Sequence, residues 1–231
     1  MTVFWYLLLG HLLADLVLKK DDFETLSFTY LAAHSFVYFL ILLVCCFNYL
    51  SLPWFKAGGF VFNGWLCSAF IAFIYFIVNC CGKYLQVSAI LRLPAFILRQ
   101  TVLILVLFLF TPIVSFEGDF KHYIWGADYL LIINFCLIIT YGISAFMLNL
   151  SYSLHKGINT QGLFDKRFLN NLFRLIIFLL LIIPGFLFPL AALVLVFLAG
   201  RYGLFKDERN YLYCGCIITA LLAILFRGIF Y

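Results

Sequence analysis

Long apolar runs separated by short polar segments are the dominant pattern of this chain. A helix needs about 20 predominantly apolar residues to cross the roughly 30 Å hydrocarbon core of a bilayer. Six runs come close to that length, and we expect each to be a membrane-spanning helix. They cover residues 2–18, 28–50, 59–80, 94–116, 127–150 and 211–230. The pattern therefore predicts an all-α, polytopic membrane protein with a single transmembrane domain over residues 1–231.

A seventh apolar stretch, residues 172–199, differs from the others because Pro184-Gly185 and Pro189 interrupt it. Proline and glycine break a helix and leave backbone groups that need protein or water partners. With 28 residues, the stretch is too short for two full spans and long for one. We expect its hinge at Pro184, Gly185 and Pro189. Two interpretations stay open, a re-entrant hairpin that turns near Pro184 and a single kinked span.

The basic residues of the loops favour the hairpin. With the amino terminus outside, the basic residues of segments 19–22, 81–93 and 151–171 face the cytoplasm, as the positive-inside tendency requires. The basic segment 200–210 joins them only if residues 172–199 re-enter the membrane. We therefore expect six full spans, one re-entrant hairpin and both termini outside.

Composition agrees with a membrane protein. Of 231 residues, 66% are hydrophobic and only 11% are charged, whereas an ordinary soluble domain has about 25% charged residues. This composition excludes a soluble globular protein. The net charge of +5 comes from short loops beside the spans, where orientation explains it better than nucleic acid does. We expect the lipid bilayer as a partner and no nucleic acid.

Among the polar side chains inside the predicted spans, five form a candidate cluster, and an aspartate there costs about 2.5–3.5 kcal/mol on insertion scales. They are His11, Asp15, His34, Arg99 and Gln100. His11 and Asp15 are four residues apart and share a helix face. At a rise of about 1.5 Å per residue, all five lie roughly 6–12 Å above the inner boundary of the bilayer. The sequence therefore predicts an intramembrane polar cluster at one depth.

Three interpretations of this cluster compete. Asp15 can accept hydrogen bonds from Arg99 and an imidazole, which makes a charge-paired structural knot. Alternatively, His11, Asp15 and His34 are suitable ligands for zinc, which would activate water against a lipid or lipid-linked substrate. The fixed cation of Arg99 would repel such a metal. Histidine and aspartate chains also serve as proton or substrate paths in transporters.

Three short motifs occur along the chain in a fixed order. They are GHLLAD at residues 10–15 with His34 in the next span, AFILRQ at 95–100 and LAGRYGLFKD at 198–207. In their order and spacing they resemble an uncharacterised bacterial membrane family, the domain of unknown function 3307. The resemblance covers most of the chain. It implies a multi-pass protein of the bacterial cytoplasmic (inner) membrane and no established activity.

The chain departs from this family at polar positions. The family usually has an acid where Arg99 stands and a histidine where Leu103 stands. It also has an H-x-x-x-D pattern at the end of the third span, where this chain has only Asn79. The resemblance thus implies a diverged member with an incomplete polar set.

We expect a non-catalytic membrane subunit or anchor that acts with a partner protein or a lipid, although the sequence leaves enzymatic activity open. The alternatives are a membrane-embedded metal-dependent hydrolase and a transporter or channel. We expect no cofactor, or zinc in the hydrolase alternative. Loops 81–93, 151–171 and 200–210 form the expected cytoplasmic face for a protein partner. A homo-oligomer is a further expectation, because small residues such as Gly64 and Ala69 allow close helix approach.

Overall fold

The structure is a computed structural model that describes residues 2–18, 27–57, 59–85, 91–112, 127–154, 167–185, 187–201 and 209–230. Within these ranges the chain forms eight helices, which account for 88% of the residues. Two helices, α1 and α5, contain a π-helical segment. The helices are α1, Thr2–Leu12 with its π-helical continuation Leu13–Val17; α2, Phe28–Cys45; α3, Gly64–Leu85; α4, Arg92–Leu109; α5, Ala127–Leu137 with π-helical Ile138–Gly142 and Ile143–Leu154; α6, Arg167–Ile182; α7, Leu187–Arg201; and α8, Arg209–Phe230.

Four of the described helices are long and apolar enough to cross a membrane, judged by length and composition. Their apolar cores are Phe28–Cys45, Gly64–Lys83, Arg92–Leu109 and Tyr129–Ser151. They fall on four of the predicted spans and fit a membrane-embedded, mostly helical protein. The predicted spans 2–18 and 211–230 correspond to the shorter apolar helices Thr2–Val17 and Tyr213–Gly228. Six full spans therefore stay a prediction.

The all-α expectation was wrong between α2 and α3. A two-stranded antiparallel sheet lies there, with β1 at Pro53–Ala57 and β2 at Phe60–Asn63, and Phe55 pairs with Phe62. Aromatic and β-branched residues favour strands over helix at these positions. Gly59 adopts a φ of 86° in the turn, where a side chain would be strained.

The sheet moves two predicted helix ends. Helix α2 stops at Cys45 instead of residue 50, and α3 begins at Gly64 instead of residue 59. The Trp54 indole N–H donates a hydrogen bond of 2.9 Å to the Tyr49 carbonyl, which ties β1 to the short 3-10 helix Phe47–Tyr49 that follows α2. A Cβ on Gly64 would lie 2.7 Å from the Trp54 ring, so glycine permits this close packing. The predicted end of the fourth span, residues 113–116, lies outside the described residues.

The predicted broken segment contains two separate helices. Helix α6 ends at Ile182, α7 begins at Leu187, and Gly185 between them has a φ of 130°. Helices α6 and α7 pack against each other through a core that includes Ile177 and Ala192. Pro189 lies in the first turn of α7, where proline is tolerated, so the break falls at Pro184-Gly185 alone.

Two compact units make up the fold. Unit 1 contains Met1–Asn134 with Tyr152–Leu154, and unit 2 contains Phe135–Ser151 with His155–Tyr231. In unit 1, α1 packs against α2 and α4, while α3 packs against both α2 and α4. In unit 2, α6 packs against α7, α8 and the π-helical segment of α5. Unit 1 therefore holds the helices that carry the predicted polar cluster.

Candidate functional site

Polar side chains from all four helices of unit 1 meet in its interior, and we call this group the Asp15 cluster. Its carboxylate is the acceptor around which the other side chains are arranged. Apart from the half-buried Gln100, its members are buried. The Asp15 cluster consists of His11, Asp15, His34, Tyr38, Tyr75, Asn79, Arg99 and Gln100.

Three hydrogen-bond donors surround the Asp15 carboxylate. Arg99 Nη2 lies 2.9 Å and Gln100 Nε2 lies 2.6 Å from Oδ2, while the Tyr75 hydroxyl donates to Oδ1 over 2.7 Å. Charge-assisted hydrogen bonds of this length are roughly twice as strong as neutral ones. The side chain of Asp15 has no solvent exposure, so these bonds form away from water. The charge of Asp15 is thus neutralised inside the helix bundle.

Arg99 connects this carboxylate to α3. Its Nη1 donates to Asn79 Oδ1 over 3.2 Å, and Asn79 Nδ2 in turn donates to the Tyr75 carbonyl over 2.8 Å. The guanidinium carbon also lies 5.6 Å from the centre of the Phe96 ring. The amide oxygen of Asn79 on α3 and the carboxylate oxygen of Asp15 on α1 both accept from the guanidinium, and together they fix its position.

The hydrogen-bond directions assign a proton on His11. A carboxylate only accepts, so the Gln100 amide nitrogen faces Asp15 and its oxygen faces His11. His11 Nε2 lies 3.0 Å from that oxygen and must therefore donate. In the neutral imidazole, His11 Nδ1 then accepts from the Tyr38 hydroxyl, 3.3 Å away. Both ring nitrogens of His11 are thus engaged.

His34 joins the Asp15 cluster through ring contacts. Its imidazole stacks on Tyr30 with ring centres 5.9 Å apart and planes inclined by 8°. It also lies 5.9 Å from the Tyr75 ring. Tyr75 stacks in turn on Tyr38, with centres only 4.0 Å apart and nearly parallel planes. The aromatic rings therefore hold α2 and α3 together beside the carboxylate.

A π-helical segment presents Asp15 to these partners. Residues Leu13–Val17 form it, and the Leu18 N–H donates to the Leu13 carbonyl over 3.1 Å. A π-helical turn widens the helix and shifts the direction of the side chains that follow it. Asp15 lies at the centre of this segment, one turn after His11, and both side chains reach Gln100. Single-turn π segments are rare and occur frequently at functional sites.

The residues of the Asp15 cluster do not fit a zinc site. Zinc takes unprotonated imidazole nitrogens and a carboxylate oxygen with a free lone pair. Here Nε2 of His11 donates to Gln100, and donors occupy three of the roughly four lone-pair sites of the Asp15 carboxylate. The Arg99 cation 2.9 Å from Asp15 would also repel a metal ion. Among the described residues, no group of three or more His, Cys, Asp or Glu side chains has the arrangement of a metal site.

Sequence reasoning anticipated part of this site. It named His11, Asp15, His34, Arg99 and Gln100, and the structure places all five in unit 1 within the Asp15 cluster. It missed the contribution of two tyrosines, which lie in apolar runs and look like ordinary core residues. A signal was present, because Tyr38 is one helical turn after His34, and Tyr75 is one turn before Asn79.

Sequence reasoning also missed a second buried arginine, Arg174 in unit 2. Its Nη2 donates to Ser144 Oγ over 2.5 Å and to Asn171 Oδ1 over 2.7 Å, and its Nε donates to the Asn170 carbonyl over 3.3 Å. We call this group the Arg174 cluster. Gly215 makes room for it, because a Cβ there would lie 3.2 Å from Arg174 Cδ. The signal was a charged residue one turn after Asn170-Asn171 in an apolar helix.

The chain matches no protein-family model, no curated protein and no solved structure.

Proposed function

We propose that this chain is a non-catalytic membrane subunit or anchor that acts with a partner protein or a lipid. One observation carries the proposal: the Asp15 carboxylate accepts from Tyr75, Arg99 and Gln100, all within 2.6–2.9 Å. A general base or nucleophile needs a lone pair directed at a substrate. In Asp15 three of the roughly four lone-pair sites accept from the protein's own donors, as expected of a structural knot.

This arrangement makes the structural knot a better account than the metal-dependent hydrolase. A hydrolase of that kind needs metal ligands and an activated water, whereas His11 and Asp15 engage each other through Gln100. The transporter or channel alternative stays a prediction. It depends on a water-lined path, and the helix break at Pro184-Gly185 does not by itself supply one.

The arrangement in the membrane is part of the same proposal. We propose six spans and a re-entrant hairpin made of α6 and α7, in a bacterial inner membrane with both termini outside. Helices α6 and α7 pack together on either side of the break at Pro184-Gly185, as a hairpin requires. Reporter domains fused to the two termini test this arrangement, and reporters on opposite sides would contradict it.

The resemblance to the domain of unknown function 3307 also stays a proposal. Two of its three motifs fall on described residues, where His11, Asp15, Arg99 and Gln100 lie in one hydrogen-bonded group. The third, at residues 198–207, lies mainly outside the described residues. So do most of the loops expected to form the cytoplasmic face for a protein partner, at 86–90, 155–166 and 202–208.

Lipid turnover tests the non-catalytic role. The purified chain is reconstituted in nanodiscs of bacterial total lipid, and the lipid composition is followed by mass spectrometry. We expect the lipid composition to be the same in nanodiscs with the wild type, in nanodiscs with His11→Ala and in empty nanodiscs. Ala33→Leu, at an exposed position of α2, controls for the effects of substitution itself. A product that accumulates with the wild type and with Ala33→Leu, but not with His11→Ala, would contradict the proposal.

A further inference from the structure

An open apolar cavity of about 350 Å³ lies between α2 and α3, on the outer side of the seam between them. We call it the α2–α3 groove. Each helix contributes positions spaced i, i+3, i+4 and i+7, which is one helix face. Ser35 and Ala72 are buried at its base, whereas Phe36 and Phe73 are 60% and 59% exposed. The two helices therefore form a trough with small residues inside and aromatic rings outside.

The side chains that line the α2–α3 groove are almost entirely hydrocarbon. Apart from Ser35, the lining side chains are alanines and phenylalanines. The Ser35 hydroxyl donates to the Leu31 carbonyl over 2.8 Å within its own helix. A polar ligand would lose its hydration here without receiving hydrogen bonds in return. The occupant must therefore be a hydrocarbon.

The α2–α3 groove is continuous with an exposed apolar surface of the same two helices. Both helices are membrane-span candidates, and they expose further apolar side chains beside the groove, among them Leu40 on α2 and Phe70 on α3. A volume of about 350 Å³ is near the lower end of the roughly 300–1,000 Å³ of small-ligand pockets. A helix of a second copy is about 10–12 Å across, whereas a single alkyl chain is much narrower. A single flexible chain fits this shape.

The opposite side of the same seam belongs to the Asp15 cluster. Tyr38 and Tyr75 stack there with centres 4.0 Å apart, and Tyr75 donates to Asp15. Ser35 lines the groove and the preceding residue, His34, belongs to the cluster, so the same turn of α2 contributes to both. A chain that fills the groove would pack against the two helices that hold this tyrosine pair.

From these observations we propose that the α2–α3 groove holds one acyl chain of a membrane lipid. The inference rests on the proposed function, of which it names the lipid partner. It assigns the occupant by its hydrocarbon chain alone, and the head group plays no part in it.

Photolabelling tests this proposal. The full chain is reconstituted in nanodiscs that contain phosphatidylcholine with a diazirine in one acyl chain, and labelled residues are mapped by mass spectrometry. Ala32→Leu with Ala69→Leu fills the groove from two exposed positions. We expect labelling at Ser35 and Ala72, at the base of the groove, to fall about tenfold, because the two leucines displace about two methylenes of the bound chain from the groove.

Ala33→Leu is the matched control, because this neighbouring alanine is exposed but does not line the groove. It should leave the labelling at Ser35 and Ala72 unchanged. Equal labelling in the filled and control variants would overturn the proposal. So would an oligomer that the filled variant dissociates, because a second copy would then occupy the groove. Neither outcome depends on lipid turnover, so failure of this inference is distinct from failure of the non-catalytic role.

Discussion

At the scale of single residues, Asp15 shows how the chain keeps a charge away from water. An aspartate inside a membrane span costs up to about 2.5–3.5 kcal/mol on insertion scales, and Asp15 lies in the last turn of α1. Three donors within 2.6–2.9 Å offset that cost, and one of them, Arg99, carries the opposite charge. His11 adds no charge in its neutral form. The Asp15 cluster is therefore a closed, electrically neutral group.

The two stacked tyrosines allow a matched test of which hydroxyl matters. Tyr75→Phe removes a 2.7 Å bond to a carboxylate, whereas Tyr38→Phe removes a 3.3 Å bond to His11. Both variants keep the ring stack. We expect Tyr75→Phe to lower the free energy of unfolding by about 1.5–3 kcal/mol and Tyr38→Phe by about 1 kcal/mol or less. Denaturation in bicelles measures both, and equal losses would contradict the geometry.

Residue-level prediction from sequence worked where helix geometry is simple. The rise per residue placed His11, Asp15 and Arg99 at one depth, and they lie in one cluster. The same arithmetic could not choose hydrogen-bond partners. Gln100 receives a hydrogen bond from His11 because the π-helical segment and the Gln100 amide set the directions of these groups. Those directions depend on tertiary packing.

At the scale of elements, the break between α6 and α7 depends on one glycine. Gly185 has a backbone φ of 130°, which residues other than glycine rarely adopt. A Cβ at this position would lie 3.3 Å from the Phe188 ring. We expect Gly185→Ala to destabilise the fold by about 1–3 kcal/mol. Gly228→Ala is the control, because nothing lies within 4 Å of its Cβ position in α8. Thermal unfolding measures both, and a neutral Gly185→Ala would refute the strained turn.

Sequence reasoning located the α6–α7 break but missed the β1–β2 hairpin. Pro184-Gly185 is a strong local signal that acts in any context. Phe60, Val61 and Phe62 lead directly into the apolar run of α3, and Gly58-Gly59 marks a turn before them. Their conformation is settled by tertiary contacts instead, such as the Trp54 bond to Tyr49 and the packing of Gly64. Such contacts cannot be inferred from periodicity.

At the scale of the whole molecule, each compact unit buries an arginine among its own helices. In unit 1, Arg99 contacts a carboxylate and an amide. In unit 2, Arg174 contacts a hydroxyl, an amide and a backbone carbonyl. Polar contacts of this kind help to hold membrane helices together, because helix association in lipid lacks a strong hydrophobic driving force. We interpret both clusters as fixing helix positions within their units.

A double-mutant cycle at Asp15 and Arg99 tests this account most directly, with unfolding followed in bicelles. We expect Asp15→Asn and Arg99→Gln each to cost about 3–5 kcal/mol, because each leaves one buried charge uncompensated. The double variant should recover about 1–3 kcal/mol relative to the sum of the single losses. Pairing Asp15→Asn with Arg201→Gln, at an exposed residue of α7, should show no such recovery. Additive losses at Asp15 and Arg99, within about 0.5 kcal/mol, would contradict the structural knot.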